Sequence, residues 1–170
     1  SLDAAATTHD TVTLGGRTFG TGVATFADSG IPLLSGALQG FLKIPTGVVI
    51  PAVFPAAAGI WNGPTYTKAT TVVGKPRLTA TVTSTAENTT LFAYLYDVNA
   101  VGIGSLITYK PYTLRDTRTA TLDFPLESIS WDVPAGHHLA LVVDTEDLRY
   151  TSESGIGLVK ISGTLTVPRR

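Results

Sequence analysis

The run Thr90–Val98, TLFAYLYDV, limits the choice of fold more than any other stretch of this chain. Side chains alternate across a strand, so Leu91, Ala93 and Leu95 share one face while Phe92, Tyr94 and Tyr96 share the other. Both faces are apolar. A strand of this kind lies between two layers or against a second domain, with water on neither side.

The neighbouring runs alternate in the simpler way. Arg77–Thr83 sets Leu78, Ala80 and Val82 against Thr79, Thr81 and Thr83, one face for a core and one for water. Arg118–Leu126 repeats the pattern through Ala120, Leu122, Phe124 and Leu126, and Ile129–Val133 through Ile129, Trp131 and Val133. Gly102–Tyr109 and Tyr112–Arg115 read as two shorter strands, and His137–Thr145 and Gly157–Val167 as the last two. No run has a helical period. Threonine is abundant, and 17 glycines and 10 prolines punctuate the chain. The expected fold is all-β, a jelly-roll β-sandwich.

The first third reads differently. Thr11–Leu14 and Arg17–Phe26 flank Gly15-Gly16, which suggests a hairpin. Ile31–Trp61 follows, with Lys43 as its only charge. Its length would cross a bilayer, but Pro32, Pro45, Pro51 and Pro55 break it, and lipid cannot replace the lost backbone donors. It is expected to be a loop packed on the sandwich, with a surface for another domain or an apolar ligand as the alternative. Residues 1–170 are expected to form a single domain, with 1–65 its irregular N-terminal portion and 66–167 the jelly roll. Without methionine even at position 1, the chain reads as an excised fragment.

Composition narrows function by exclusion. With no cysteine there is no disulfide, thiolate metal site or thiol nucleophile. That fits an exported or cell-surface bacterial protein as well as a cytosolic one. The net charge is −1 and charged residues make up 15%, with no basic footprint for nucleic acid. No serine has glycine two places before it, so the nucleophile elbow of α/β-hydrolases is missing, and no phosphate-cradling loop is present.

His137 and His138 are adjacent, and neighbours on a strand point to opposite faces, so the pair is not expected to share a metal. His137 is in register with Leu139, Leu141 and Val143, and the weight falls on a hydrogen-bonded core residue. The carboxylates of Asp144–Tyr150 lack calcium-loop spacing and read as a solvated loop. No catalytic residue, cofactor or metal site is expected in this chain. The aromatics, Tyr94 and Tyr96 among them, could form a sugar platform only if exposed and coplanar, and Trp131 reads as core.

Taken in order, Val72–Thr85, Thr90–Gly102, Tyr112–Arg118 and Asp132–Thr145 form a recognisable succession. It resembles the C-terminal domain of X-Pro dipeptidyl-peptidases and cocaine-esterase-like serine hydrolases. The matching positions are Gly74, Pro76 and Leu78; then Leu91, Ala93, Leu95, Asp97 and Val98; then Ala135-Gly136-His137 with Leu139 and Leu141. The likeness covers about residues 66–167. The resemblance implies a jelly roll similar to galactose-binding domains, and a non-catalytic accessory role in a parent serine hydrolase, a peptidase or esterase, whose triad lies in a separate α/β-hydrolase domain of the same chain. That domain is the implied partner, with a homo-oligomer as a second, and no membrane span is expected. Tyr94, Tyr96, Phe41, Phe54 and Trp61 are the residues expected to contact it. The alternative is a carbohydrate-binding module of a secreted protein, and a third reading is a structural or adhesion domain.

Overall fold

In the computed structural model, described for residues 8–21, 48–49 (backbone only), 58–116, 118–145, 155 and 157–170, every pairing between strands is antiparallel. None of these residues is helical. The strands are β1 (Thr8–Thr21), β2 (Val48–Val49), β3 (Ala58–Thr65), β4 (Thr70–Gly74), β5 (Arg77–Ser84) and β6 (Thr89–Val98). They continue as β7 (Ile103–Leu114), β8 (Thr119–Pro125), β9 (Ile129–Val133), β10 (His138–Asp144) and β11 (Gly157–Arg169). One sheet, A, has the order β8-β5-β11-β4-β9, with β1 also paired to β11. The other, B, has the order β2-β7-β6-β10-β3. The all-β sandwich expected from the alternating runs is present.

Packing follows the sequence periods. Strand β5 alternates exposed and buried along its whole length, with Leu78, Ala80 and Val82 inward. Those side chains meet Leu91, Ala93 and Leu95 of β6 and Leu139, Leu141 and Val143 of β10 in the main core between the sheets. All ten residues of β6 are buried. Its outer side chains, Phe92, Tyr94, Tyr96 and Val98, join Ala58, Ala140 and Val142 in a second apolar cluster on the far side of sheet B. A leucine-sized side chain taken fully from water stabilises by about 1.5–3 kcal/mol, so a strand buried on both faces is a strong fold determinant.

Three expectations need correction. The hairpin at Gly15-Gly16 is a bulge. Strand β1 runs straight through it, pairing Leu14 with Gly163 and Arg17 with Ile161 of β11. Two residues thus face one, which frees the Gly15 carbonyl from the ladder. The Trp61 indole takes it, with Nε1 donating at 2.7 Å. Trp61 in turn lies back over Gly59, where a Cβ would strike the ring. The second correction joins Gly102–Tyr109 to Tyr112–Arg115: β7 is one strand through Pro111, which stands opposite Phe92. Among the described residues the other side of β7 is paired only at Ile103 and Gly104, so none of them calls on the N–H that Pro111 lacks. Third, β4 is a short strand that the sequence reading passed over. The first 65 residues are therefore not wholly irregular, since β1 and β3 belong to the sandwich.

The two sheets close at both sides. On one side Trp61 bonds β3 to β1. On the other, Tyr112 of β7 stacks on Phe124 of β8 with centroids 5.0 Å apart and planes at 11°. Lys110 pairs with Glu127 there at 3.3 Å.

Candidate functional site

Along β6 the inward positions run Leu91, Ala93, Leu95 and then Asp97. A carboxylate in a core register must find partners, because an isolated buried charge is costly. Asp97 is 6% exposed and has two. Trp131 Nε1, from β9 of the opposite sheet, donates to Oδ2 at 2.9 Å. His137 Nδ1 meets Oδ1 at 2.8 Å. An ionised carboxylate only accepts, so the proton of this bond sits on Nδ1 and Nε2 is left on the far side of the ring. One side chain thereby ties sheet A, sheet B and the β9–β10 turn together.

That turn explains the Gly-His pair. His137 N–H donates to the Pro134 carbonyl at 3.3 Å, closing a four-residue turn. Gly136 is its third residue, with φ +85°, the left-handed region that a type II turn needs at that place. A Cβ on Gly136 would meet nothing within 4 Å, so conformation and not space demands glycine. The turn docks on Tyr66: Gly136 N–H donates to the Tyr66 carbonyl at 2.8 Å, and Tyr66 N–H to the His137 carbonyl at 2.8 Å.

Tyr66 begins a second polar cluster. Its hydroxyl donates to Asp10 Oδ2 at 2.8 Å, and Arg169 Nε donates to Asp10 Oδ1 at 2.7 Å. Burial raises the phenol well above its usual range, and the Asp10 carboxylate adds to this. The cluster pins β1, β11 and the β3–β4 loop beside a shallow cleft of about 190 Å³ lined in part by Lys68 and Thr70.

His138 faces away from His137. Its Nε2 bonds Asn62 Oδ1 at 3.1 Å, and burial lowers its pKa. The two imidazoles thus serve different partners, as adjacent strand positions require. Among the described residues no three His, Asp or Glu side chains gather as a metal site.

The expected contact residues are placed as follows. Trp61 is 5% exposed in the main core, and Tyr94 and Tyr96 are each 8% exposed in the outer cluster. The rings of Tyr94 and Tyr96 lie 6.4 Å apart and are tilted by 33°. They offer no open, coplanar platform to a sugar. Phe41 and Phe54 lie outside the described residues, as do most of Ile31–Trp61 and the carboxylates Glu146 and Asp147. Sequence reasoning missed the partnership of Asp97, Trp131 and His137. Its signal was the single carboxylate at an inward position of an otherwise apolar strand.

Several solved structures share the fold. An α-amino acid ester hydrolase matches 92% of this chain at a TM-score of 0.68 and 10% identity, over 33% of its own length. A CocE/NonD family hydrolase from Staphylococcus aureus matches 66% of the chain at 0.53 and 13% identity, over 33% of its length. An aminopeptidase from the marine sediment archaeon Thaumarchaeota archaeon matches 69% at 0.57 and 11% identity, over 26% of its length. The chain thus spans a third or less of these proteins. No curated protein sequence matches it. The model of the X-Pro dipeptidyl-peptidase C-terminal non-catalytic domain matches residues 60–155, which hold Asp97, Trp131 and the Gly136-His137 turn. The chain belongs to that family of non-catalytic domains.

Proposed function

We propose that this chain is the accessory β-sandwich of a larger serine hydrolase, an esterase or an X-Pro peptidase, and that it packs on an α/β-hydrolase domain of the same polypeptide. The observation that carries the reading is the family match over residues 60–155. The likeness to domains that make up a third or less of hydrolase chains supports it.

The domain works by shape. A rigid sandwich against a catalytic domain supplies one wall of the substrate cleft and keeps water from the reacting bond. Rigidity comes from β6, buried on both faces, and from the Asp97 bridge between the sheets. Tyr94, Tyr96 and Trp61 enter as the framework behind the contact: the tyrosines fill the outer layer of sheet B, and Trp61 locks β3 to β1.

Hydrolysis of p-nitrophenyl esters and X-Pro anilides tests this reading. The purified chain should turn over neither. The full-length protein should turn over one, and should lose that activity or change its substrate range when this domain is deleted. Turnover by the isolated chain, or a full-length protein indifferent to the deletion, would refute the proposal.

A further inference from the structure

Strand β6 begins beside Ser84, whose hydroxyl bonds Thr89, and ends at Val98. The molecule therefore has a Thr89 end and a Val98 end. At the Val98 end the chain turns through Asn99–Gly102 into β7. This tip is held firmly. Asn99 Oδ1 accepts from Val101 N–H at 3.1 Å and from Ile103 N–H at 3.0 Å. Asn99 N–H also donates to the Ile103 carbonyl at 3.0 Å, and Gly102 takes φ +86°. Yet the side chain at the apex is Val101, 76% exposed, with Ile103 at 41% beside it.

Register places His137 next to them. Val98 pairs with His138 and with Gly104, so Asn99 lies between Ile103 on one side and His137 on the other. Neighbouring strands stand about 4.8 Å apart, which sets Ile103 and His137 roughly 10 Å apart across Asn99. The His137 ring is 27% exposed and is fixed through Nδ1 by Asp97, with Nε2 on the other edge. Lone exposed aliphatic residues are ordinary on protein surfaces. A rigid turn carrying two of them beside an oriented imidazole is a preorganised contact, with little ordering cost left for binding.

We infer that the Val98 end, through Val101, Ile103 and His137, is the surface that seats on the catalytic domain. This rests on the proposed function. The occupant is the hydrolase portion of the same polypeptide, since the similar solved chains have two thirds or more of their length outside this fold. The complementary surface would be an apolar depression for Val101 and Ile103, with a polar group at its rim to bond His137 Nε2.

Hydrogen exchange on this chain alone and on the same residues within the full-length protein tests the assignment. Amides of Asn99–Gly102 and Ala135–His137 should exchange at least about tenfold more slowly in the full-length protein. Val101→Asp should erase that slowing in the full-length protein, while the isolated chain melts at an unchanged temperature. Leu158 is the control: 54% exposed, it bonds Thr85 at the Thr89 end, and Leu158→Asp should leave the slowing intact. Slowing confined to the Thr89 end, or an indifferent Val101→Asp, would overturn the assignment and leave packing of the domain standing. No difference anywhere between the two proteins would bring down both.

Discussion

Asp97 Oδ1 stands 2.8 Å from His137 Nδ1, and the same carboxylate holds the indole of Trp131 across the sandwich at 2.9 Å. A buried carboxylate with two donors is strong only while all three members are present. Removing the centre leaves the two partly buried ring donors without their acceptor.

Asp97→Ala should therefore cost about 2–4 kcal/mol, the range for breaking a buried, charge-assisted cluster. Asp97→Asn keeps one acceptor and should lose about half as much. Urea denaturation of the chain, followed by tryptophan fluorescence, measures both. A change in Asp97→Ala below about 1 kcal/mol would show that water replaces the carboxylate and that the bridge contributes little.

Trp131 separates packing from hydrogen bonding. Trp131→Phe keeps a ring against the core beside Ile129 and Val133 but removes the donor to Asp97. The expected loss is about 1–2 kcal/mol, and it should largely vanish when Asp97 is already alanine. Full additivity in that double-mutant cycle would mean that the two side chains act independently.

The parts of the fold that were legible in the sequence are those where a short period decides the outcome. Strand β5 alternates without a fault, and β6 is apolar on both faces, so burial and layer position follow from local pattern. Where distant partners decide, the pattern misleads. Gly15-Gly16 has the look of a turn, yet β11 offers a continuous ladder on both sides of it, and the Trp61 indole takes the carbonyl that the bulge frees. Strand β4, Thr70–Gly74, is too short to have a readable period and takes its place from β9, which pairs with all five of its residues. His137 is partly exposed on the β9–β10 turn and is not the core position its register suggested, but that it is hydrogen-bonded was legible. Its partner was not, because Asp97 lies 40 residues away and only the sheet register brings them together.

Two glycines should respond to alanine for different reasons. Gly136→Ala meets no atom and pays only for its left-handed backbone, about 1–2 kcal/mol. Gly163 is packed against the Thr79 carbonyl and Ala80 of β5, so a methyl there must push two central strands apart. Gly163→Ala should cost more than Gly136→Ala and lower the yield of soluble chain. Thermal melts of the two variants give the order, and the reverse order would mean that β11 and β5 adjust freely.

Tyr66 should govern part of the alkaline limit. Burial and the Asp10 carboxylate raise its phenol above the ordinary value of 10.0. The unfolded phenol then ionises at a lower pH than the folded one. Its contribution is complete below pH 10 and is lost as pH rises toward the folded value. Tyr66→Phe should destabilise by about 1–2 kcal/mol at neutral pH, through the lost bond to Asp10. It should also flatten the fall in stability between about pH 9.5 and 11. Parallel falls for both proteins in that range would place the alkaline loss on other groups.

His138 should act at the acid side. Burial lowers its pKa below the ordinary 6.5, the nearby His137 adds to this, and Asp97 opposes it. The folded ring therefore takes up its proton later than the unfolded one. Its contribution is present above pH 6.5 and is lost as pH falls through the folded value. The urea midpoint should drop between about pH 7.5 and 5, and His138→Gln should reduce that drop. Asp123, held low by its bond to Arg77, adds a loss only nearer its ordinary 3.8, outside this window. If His138→Gln keeps the whole drop, the neutral ring bonded to Asn62 is not what the folded state protects, and proton uptake elsewhere sets the acid limit.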